Sequence, residues 1–220
     1  MLKPFLIFAA VAAVCSLACG GVPETEFAQL NDLFLRTGPR LGDPAPDFSL
    51  ERARGGTVRA SELWAQKPLM VTTGSFSCPQ FREVTEGRRG LVREFSERMS
   101  SVVVYTIEAH PTGSPSPYVN REWVTEENKR DGILLAQPQT YDMRLGLAQR
   151  CREALKMLSF VAVDKMDNAT WKAYGGSPNC AYLIDTRGRV VFRQGLFNKD
   201  EMRAAIRKLL AAEAAPVPPR

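Results

Sequence analysis

The chain has 220 residues, 45% of them hydrophobic and 24% charged, with a formal net charge of +5 and a single histidine. That is enough apolar sequence for one good-sized core, so one domain with appendages is the simplest organisation. Basic side chains lie scattered beside acidic ones (Glu83 and Glu86 with Arg88 and Arg89; Glu94 and Glu97 with Arg93 and Arg98), which argues against nucleic acid as a partner. One histidine and no Cys-x-x-Cys pair argue against a metal site.

In chain order, Lys3, an apolar stretch from Phe5 to Val14 and small residues around Ser16 to Gly20 read as a secretory signal over residues 1–18. It is too short to span a bilayer comfortably. Ser16 and Ala18 suit cleavage before Cys19, and that junction resembles a bacterial lipoprotein lipobox. Cys19 is therefore the candidate lipidation site of an exported, membrane-anchored lipoprotein; simple cleavage to a periplasmic or extracellular form and an uncleaved anchor are the alternatives. Residues 22–40 read as a linker with a short amphipathic piece (Phe27, Leu30, Leu33, Phe34), a tether or a helix packed on the domain, residues 41–212 as the domain, and 213–220 as a flexible Ala/Pro tail.

Within the domain, the run from Pro68 to Thr72 predicts a buried strand and Phe81 to Met99 a helix. The β-branched run from Val102 to Ile107 predicts a central parallel strand ending in Glu108-Ala109-His110-Pro111. Residues 112–139 form a long polar segment, functional or disordered by its length. A helix from Tyr141 to about Leu158, a strand from Phe160 to Asp164 and a short helix from Asn168 to Tyr174 follow. A hairpin across Thr186-Arg187-Gly188 and a last helix from Lys199 to Leu210 complete the pattern. Strands alternating with helices indicate an α/β sheet with helices on both faces.

The chemistry centres on Cys78, placed by Thr72-Thr73-Gly74-Ser75-Phe76-Ser77-Cys78-Pro79 at the start of a helix. Free amides and the helix dipole there favour a thiolate, which predicts a thiol pKa lowered from ~8.5 into the ~3.5–7.5 range. An inert buried cysteine at a tight turn is the bland alternative. With Cys15 and Cys19 assigned to the signal and its junction, Cys78, Cys151 and Cys180 remain, an odd number that points to a reactive thiol. Cys180 is the preferred resolving thiol, at even odds with an external one, and Cys151 a second candidate on an apolar helix face. His110, near its ordinary ~6.5, suits a proton donor at neutral pH, against a loop histidine bonded to Glu108. Arg82 could add positive charge one turn beyond Cys78, although an exposed side chain is the favoured reading.

This order, with Ser177-Pro178 before the hairpin, looks like the thioredoxin fold, which implies that Pro178 is cis and faces Cys78. Gly42-Asp43-Pro44-Ala45-Pro46-Asp47-Phe48 resembles a redoxin-type N-terminal extension. Five further segments, Gly74 to Arg82, Tyr105 to Pro111, Arg150-Cys151, Asp164 to Asn168 and Ala173-Tyr174-Gly175, are in sequence and order similar to the iodothyronine deiodinase family. The resemblance implies that Cys78 stands where the animal enzymes carry selenocysteine, with His110 and Glu108 at catalytic positions and Ser75 and Ser77 supporting them. Sulfur replaces selenium, and the second histidine of the animal enzymes is replaced by a segment offering Thr140, Tyr141 and Arg144. The implied activity is thiol-dependent reductive dehalogenation of a small iodinated aromatic, with no cofactor, a thioredoxin- or glutathione-like thiol donor, and a homodimer as an open arrangement. A peroxiredoxin-like thiol peroxidase, a disulfide reductase and a non-catalytic redoxin-fold binding module are the rival readings.

Overall fold

A computed structural model describes residues 34–214; the signal, Cys19, most of the 22–40 linker and the end of the tail lie outside it. Strand β1 (Ser49–Glu51) pairs antiparallel with β2 (Thr57–Arg59), followed by helix α1 (Ala60–Trp64). The main sheet holds β3 (Leu69–Gly74), β4 (Ser100–Tyr105), β5 (Phe160–Val163), β6 (Ala181–Ile184) and β7 (Val190–Gln194), in the order β5-β4-β3-β6-β7. β3, β4 and β5 run parallel, and β6 returns antiparallel to β3.

Side-chain alternation divides the core. Val102 and Val104 of β4 join Val71, Tyr182 and Cys180 on one face, while Val103 and Tyr105 join Cys78, Phe81 and Cys151 on the other. Period two along each strand does this, since successive side chains point to opposite faces. On the second face a further cluster packs Met70 and Leu183 against Leu91 of α3 (Thr85–Phe95) and Met202 and Ile206 of α7 (Lys199–Ala214).

The helix expected from Phe81 to Met99 is two helices, α2 (Pro79–Glu83) and α3, joined at Val84. The Phe81 carbonyl accepts the Thr85 hydroxyl at 2.7 Å and an Arg88 guanidinium N–H, so side chains take the place of the ladder bond. α5 (Tyr141–Ala154) also stops short of Leu158, because Lys156 turns left-handed (φ 48) and the N–H groups of Lys156 and Met157 bond back to Glu153 and Arg152. Leu158 is left half exposed. The long loop carries a short helix, α4 (Glu126–Arg130), capped by Thr125.

Part of the expected linker is docked. Phe34 is buried against Tyr182, and Arg193 donates to the carbonyls of Leu35, Gly38 and Pro39. The Asp164-to-Asn168 motif is structural here: the Asp164 carboxylate accepts the N–H groups of Thr170 and Trp171, opening α6 (Ala169–Ala173). Among the described residues no helix is long and apolar enough to cross a membrane.

Candidate active site

β3 and β4 deliver two loops side by side at their carboxyl ends, where open α/β sheets place their sites. β3 ends at Gly74, and the Phe81 ring lies so close that a Cβ on Gly74 would sit 2.0 Å from it. Glycine is needed there because the ring anchors α2, whose N-cap is Cys78 and whose first residue is Pro79. The loop after β4 is stapled to the cysteine loop. Ala109 N–H donates to Ser75 Oγ (3.1 Å), His110 N–H to Ser77 Oγ (3.0 Å), Ser77 N–H to Glu108 Oε2 (2.8 Å) and Thr106 N–H to the Gly74 carbonyl (3.0 Å).

Glu108 is fully buried, and its other oxygen accepts the Tyr105 hydroxyl. With both oxygens occupied, it acts as a positioning group for the Ser77–Cys78 turn. Burial pushes its carboxyl up, opposed by Ser77, Tyr105 and Arg144. Gln137 seals the backbone of Glu108 from the far side, its Oε1 accepting the N–H and its Nε2 donating to the carbonyl.

Several participants carried no sequence signal. Asn128 of α4 donates to the Ser77 carbonyl (2.8 Å) and accepts from Arg82, which also donates to the Phe76 carbonyl and pairs with Asp131 at 3.1 Å. Arg82 is thus the clasp between α2 and the long loop, not the exposed side chain expected. Arg88 is buried and stacks 4.0 Å over the Phe81 ring, with Nε unpartnered and no carboxylate beside it among the described residues. Trp123 gives its carbonyl to His110 Nδ1 at 3.1 Å, and the two rings meet edge to face with centroids 4.2 Å apart. Beside Pro79 a cavity of about 340 Å³ opens between α2 and α4, with Arg82, Glu83, Glu127, Arg130 and Asp131 on its walls.

The electrostatics overturn two expectations. Cys78 is only 3% exposed, and burial pushes its thiol up to about 11 instead of down. The predicted stabilisation is present, from the Phe81 and Gln80 amides and the Arg82 and Arg88 guanidiniums, but desolvation outweighs it. His110 is moved down to about 4, first by burial and also by Arg82, against the Trp123 carbonyl and Glu127. It is therefore neutral at pH 7, not the standing acid expected near 6.5. The bond to Trp123 requires a proton on Nδ1, which leaves Nε2 an acceptor.

The remaining candidates divide. Cys151 is buried in the cluster that holds Cys78. Cys180 belongs to the opposite face, its sulfur 3.0 Å from Thr73 Oγ1 and 3.4 Å from the Tyr174 carbonyl, which removes the basis for preferring it as resolving partner. All three are free thiols. The Ser177-Pro178 bond is trans, since no described peptide is cis. Gly175 and Gly176, both at positive φ, already reverse the chain, and Thr73 Oγ1 binds the Ser177 carbonyl at 3.1 Å, so no cis turn is needed to enter β6.

Comparison with known proteins agrees with this arrangement. A sequence profile described as iodothyronine deiodinase matches residues 25–210. Thyroxine 5-deiodinase of Gallus gallus is 29% identical over 157 residues, covering 70% of this chain and 56% of that protein. Type II iodothyronine deiodinase of Homo sapiens is 34% identical over 142 residues, covering 61% and 48%. The chain thus spans about half the length of the curated relatives it matches. Among solved structures, a thiol-disulfide oxidoreductase from Bacteroides fragilis superposes with a TM-score of 0.53 at 12% identity, covering 76% of this chain and 99% of that one. Peroxidoxin BcpB from Mycobacterium tuberculosis gives 0.50 at 19%, covering 79% and 97%. At those identities they establish the thioredoxin-like fold alone.

Proposed function

Because the chain belongs to the iodothyronine deiodinase family, we propose that it is an exported thiol-dependent oxidoreductase whose Cys78 sulfur attacks a soft electrophile, best read as the iodine of an iodinated aromatic. The observation that carries this reading is the convergence on one sulfur of two helix-start amides and two guanidiniums, in a loop stapled to that of a neutral imidazole.

The chemistry follows from those groups. His110 Nε2 takes the Cys78 proton, and the thiolate forms a sulfur–iodine bond as the carbon–iodine bond breaks. The carbon keeps the electron pair and receives the proton from the imidazolium, so His110 serves as base first and acid second. A donor thiol then displaces iodide to give a mixed disulfide, and a second donor thiol frees Cys78. Overall one aryl iodide and two thiols become the arene, hydrogen iodide and a disulfide, and no cofactor enters. The donor is a thioredoxin- or glutathione-like thiol.

Values of about 11 and about 4 set the proton transfer from Cys78 to His110 uphill by on the order of 10 kcal/mol, before the mutual attraction of the resulting ions is counted. The resting site therefore holds a thiol and a neutral ring, and the reactive pair forms only transiently. Ser75, which occupies the place a thiol peroxidase would give to threonine, accepts the Ala109 N–H on its hydroxyl oxygen and so helps hold the two loops together. Export and attachment through Cys19 rest on the pattern of the first residues.

The test measures iodide released from an iodophenol with dithiothreitol as donor, beside consumption of hydrogen peroxide. Iodide release that depends on Cys78 is expected. Peroxide consumption without iodide release would make the protein a thiol peroxidase, and neither activity would make it a binding module.

A further inference from the structure

At the opposite end of the sheet from Cys78, where β5 begins, a cavity of about 300 Å³ lies between the β1–β2 turn, the last turn of α5 and the Leu158-to-Val161 segment. Three arginines wall it: Arg52 and Arg54 from the turn, and Arg152 from the helix. Among the described residues no carboxylate forms an ion pair with any of the three, whereas Arg203 and Arg207 share Glu94. Arg54 and Glu153 are the charged groups that act on Arg152, and burial together with the positive Arg54 holds its guanidinium below the ordinary range. Like charges have been gathered here at a cost.

The wall is built rather than accidental. The turn is pinned to the edge strand by Ala53 N–H donating to the Val161 carbonyl (2.8 Å) and by a bridge between Arg52 and Ala162. Arg52 Nε donates to the Gly55 carbonyl at 3.1 Å, its guanidinium lies 5.6 Å over the Phe160 ring, and a Cβ on Gly56 would stand 2.6 Å from its terminal nitrogen. The fork of Arg52 is thus held by backbone, ring and glycine together. Beside the charges stand two of the larger exposed apolar side chains, Leu158 at 50% and Phe160 at 42%. The volume is at the lower end of small-ligand sites.

We propose that this cavity binds a phosphate-bearing ligand, its phosphoryl oxygens on Arg52, Arg54 and Arg152 and an apolar portion against Phe160 and Leu158. Three planar forks suit a tetrahedral dianion with several acceptor oxygens; a carboxylate has only two. The ligand is either a free phosphate monoester or the headgroup of an anionic phospholipid, which share this chemistry. The inference stands apart from the reading of Cys78, because none of these residues touches that site.

The experiment uses the full chain with phenyl phosphate and, separately, with phosphatidylcholine vesicles with and without phosphatidic acid. Titration calorimetry reads the first and vesicle sedimentation the second. Binding of at least one probe is expected, with affinity falling about tenfold in Arg54→Gln and again in Arg152→Gln, the scale of a lost charged hydrogen bond. Arg54→Lys should recover part of it, and reactivity of Cys78 toward iodoacetamide should not change in any of the three. Phenyl phosphate binding alone identifies a soluble ligand, and phosphatidic-acid binding alone a lipid. Binding of neither probe, or equal binding by wild type and the double glutamine variant, would overturn the proposal.

Discussion

Cys78 and Cys180 are both buried thiols near the same end of β3, and the difference between them lies in what faces the sulfur. Burial pushes each up, to about 11 and about 12. Around Cys78 the opposing groups are donors and cations: two amides, Arg82 and Arg88. Cys180 is opposed too, by the Thr73 hydroxyl, the Thr73 and Cys180 amides and Arg193, but its sulfur also donates to the Tyr174 carbonyl at 3.4 Å, a bond that only the protonated thiol can make. Similar acidity therefore hides a difference in the bonds the resting thiols make. One thiol is held back from ionising by missing water alone, and the other is also used as a hydrogen-bond donor in the core.

The sharpest way to break that contrast is substitution. Cys78→Ser should abolish thiol-dependent turnover, while Cys180→Ala should retain activity within a few-fold and cost stability instead, about 1 kcal/mol or somewhat more for a small buried group. If Cys180→Ala leaves an oxidised, arrested enzyme that extra dithiothreitol restores, Cys180 is a resolving thiol after all. Next in size is His110→Ala, expected to lower iodide release by roughly 10² to 10⁴, the usual scale for a lost proton-transfer group. Because His110 both accepts the Cys78 proton and returns it, the loss should persist with poor and good leaving groups alike. A defect confined to poor leaving groups would restore the pure acid role.

The sheet was legible because continuous apolar β-branched runs such as Val102 to Ile107 leave little choice of structure, and the order of strands and helices around them fixes the topology. That the Cys78 and His110 loops lie side by side was legible because each follows a parallel strand of the sheet. What the sequence concealed was burial. Nothing local in Ser77-Cys78-Pro79 says that Asn128 and Arg82, drawn from a polar segment and a helix, close over the loop. Helix-terminus reasoning therefore had the sign of the local field right and the sign of the net shift wrong. The hidden helix break at Val84 has the same origin, for it depends on Arg88 folding back onto the Phe81 carbonyl.

The same burial makes stability depend on pH at both ends. His110 lies at about 4 in the folded chain against an ordinary ~6.5, so between those values the unfolded chain holds more protons and stability rises with pH. Its contribution is complete above ~6.5 and is lost as pH falls through about 4, some 3 kcal/mol in all. Cys78 has the opposite sign: its folded value of about 11 exceeds the ordinary ~8.5, so stability is complete below ~8.5 and declines as pH rises through about 11. Urea midpoints for His110→Asn should lose most of the acid slope and keep the alkaline one. An unchanged acid slope would show that the ring is solvated in the folded protein.

The smallest expected effect separates the two thiols directly. With Cys151 replaced by serine, Cys78 and Cys180 can be followed one at a time in Cys180→Ser and Cys78→Ser backgrounds by iodoacetamide uptake against pH. Values of about 11 and about 12 predict about a tenfold larger thiolate fraction at Cys78 at any pH below both, and no plateau for either below pH 9. Adding an iodophenol should change uptake at Cys78 alone, because Cys180 is fully buried on the opposite face of the sheet. A Cys78 midpoint below ~8.5 in the free protein would mean that water reaches the sulfur in solution, so that the helix terminus and the two arginines, no longer opposed by desolvation, set its acidity.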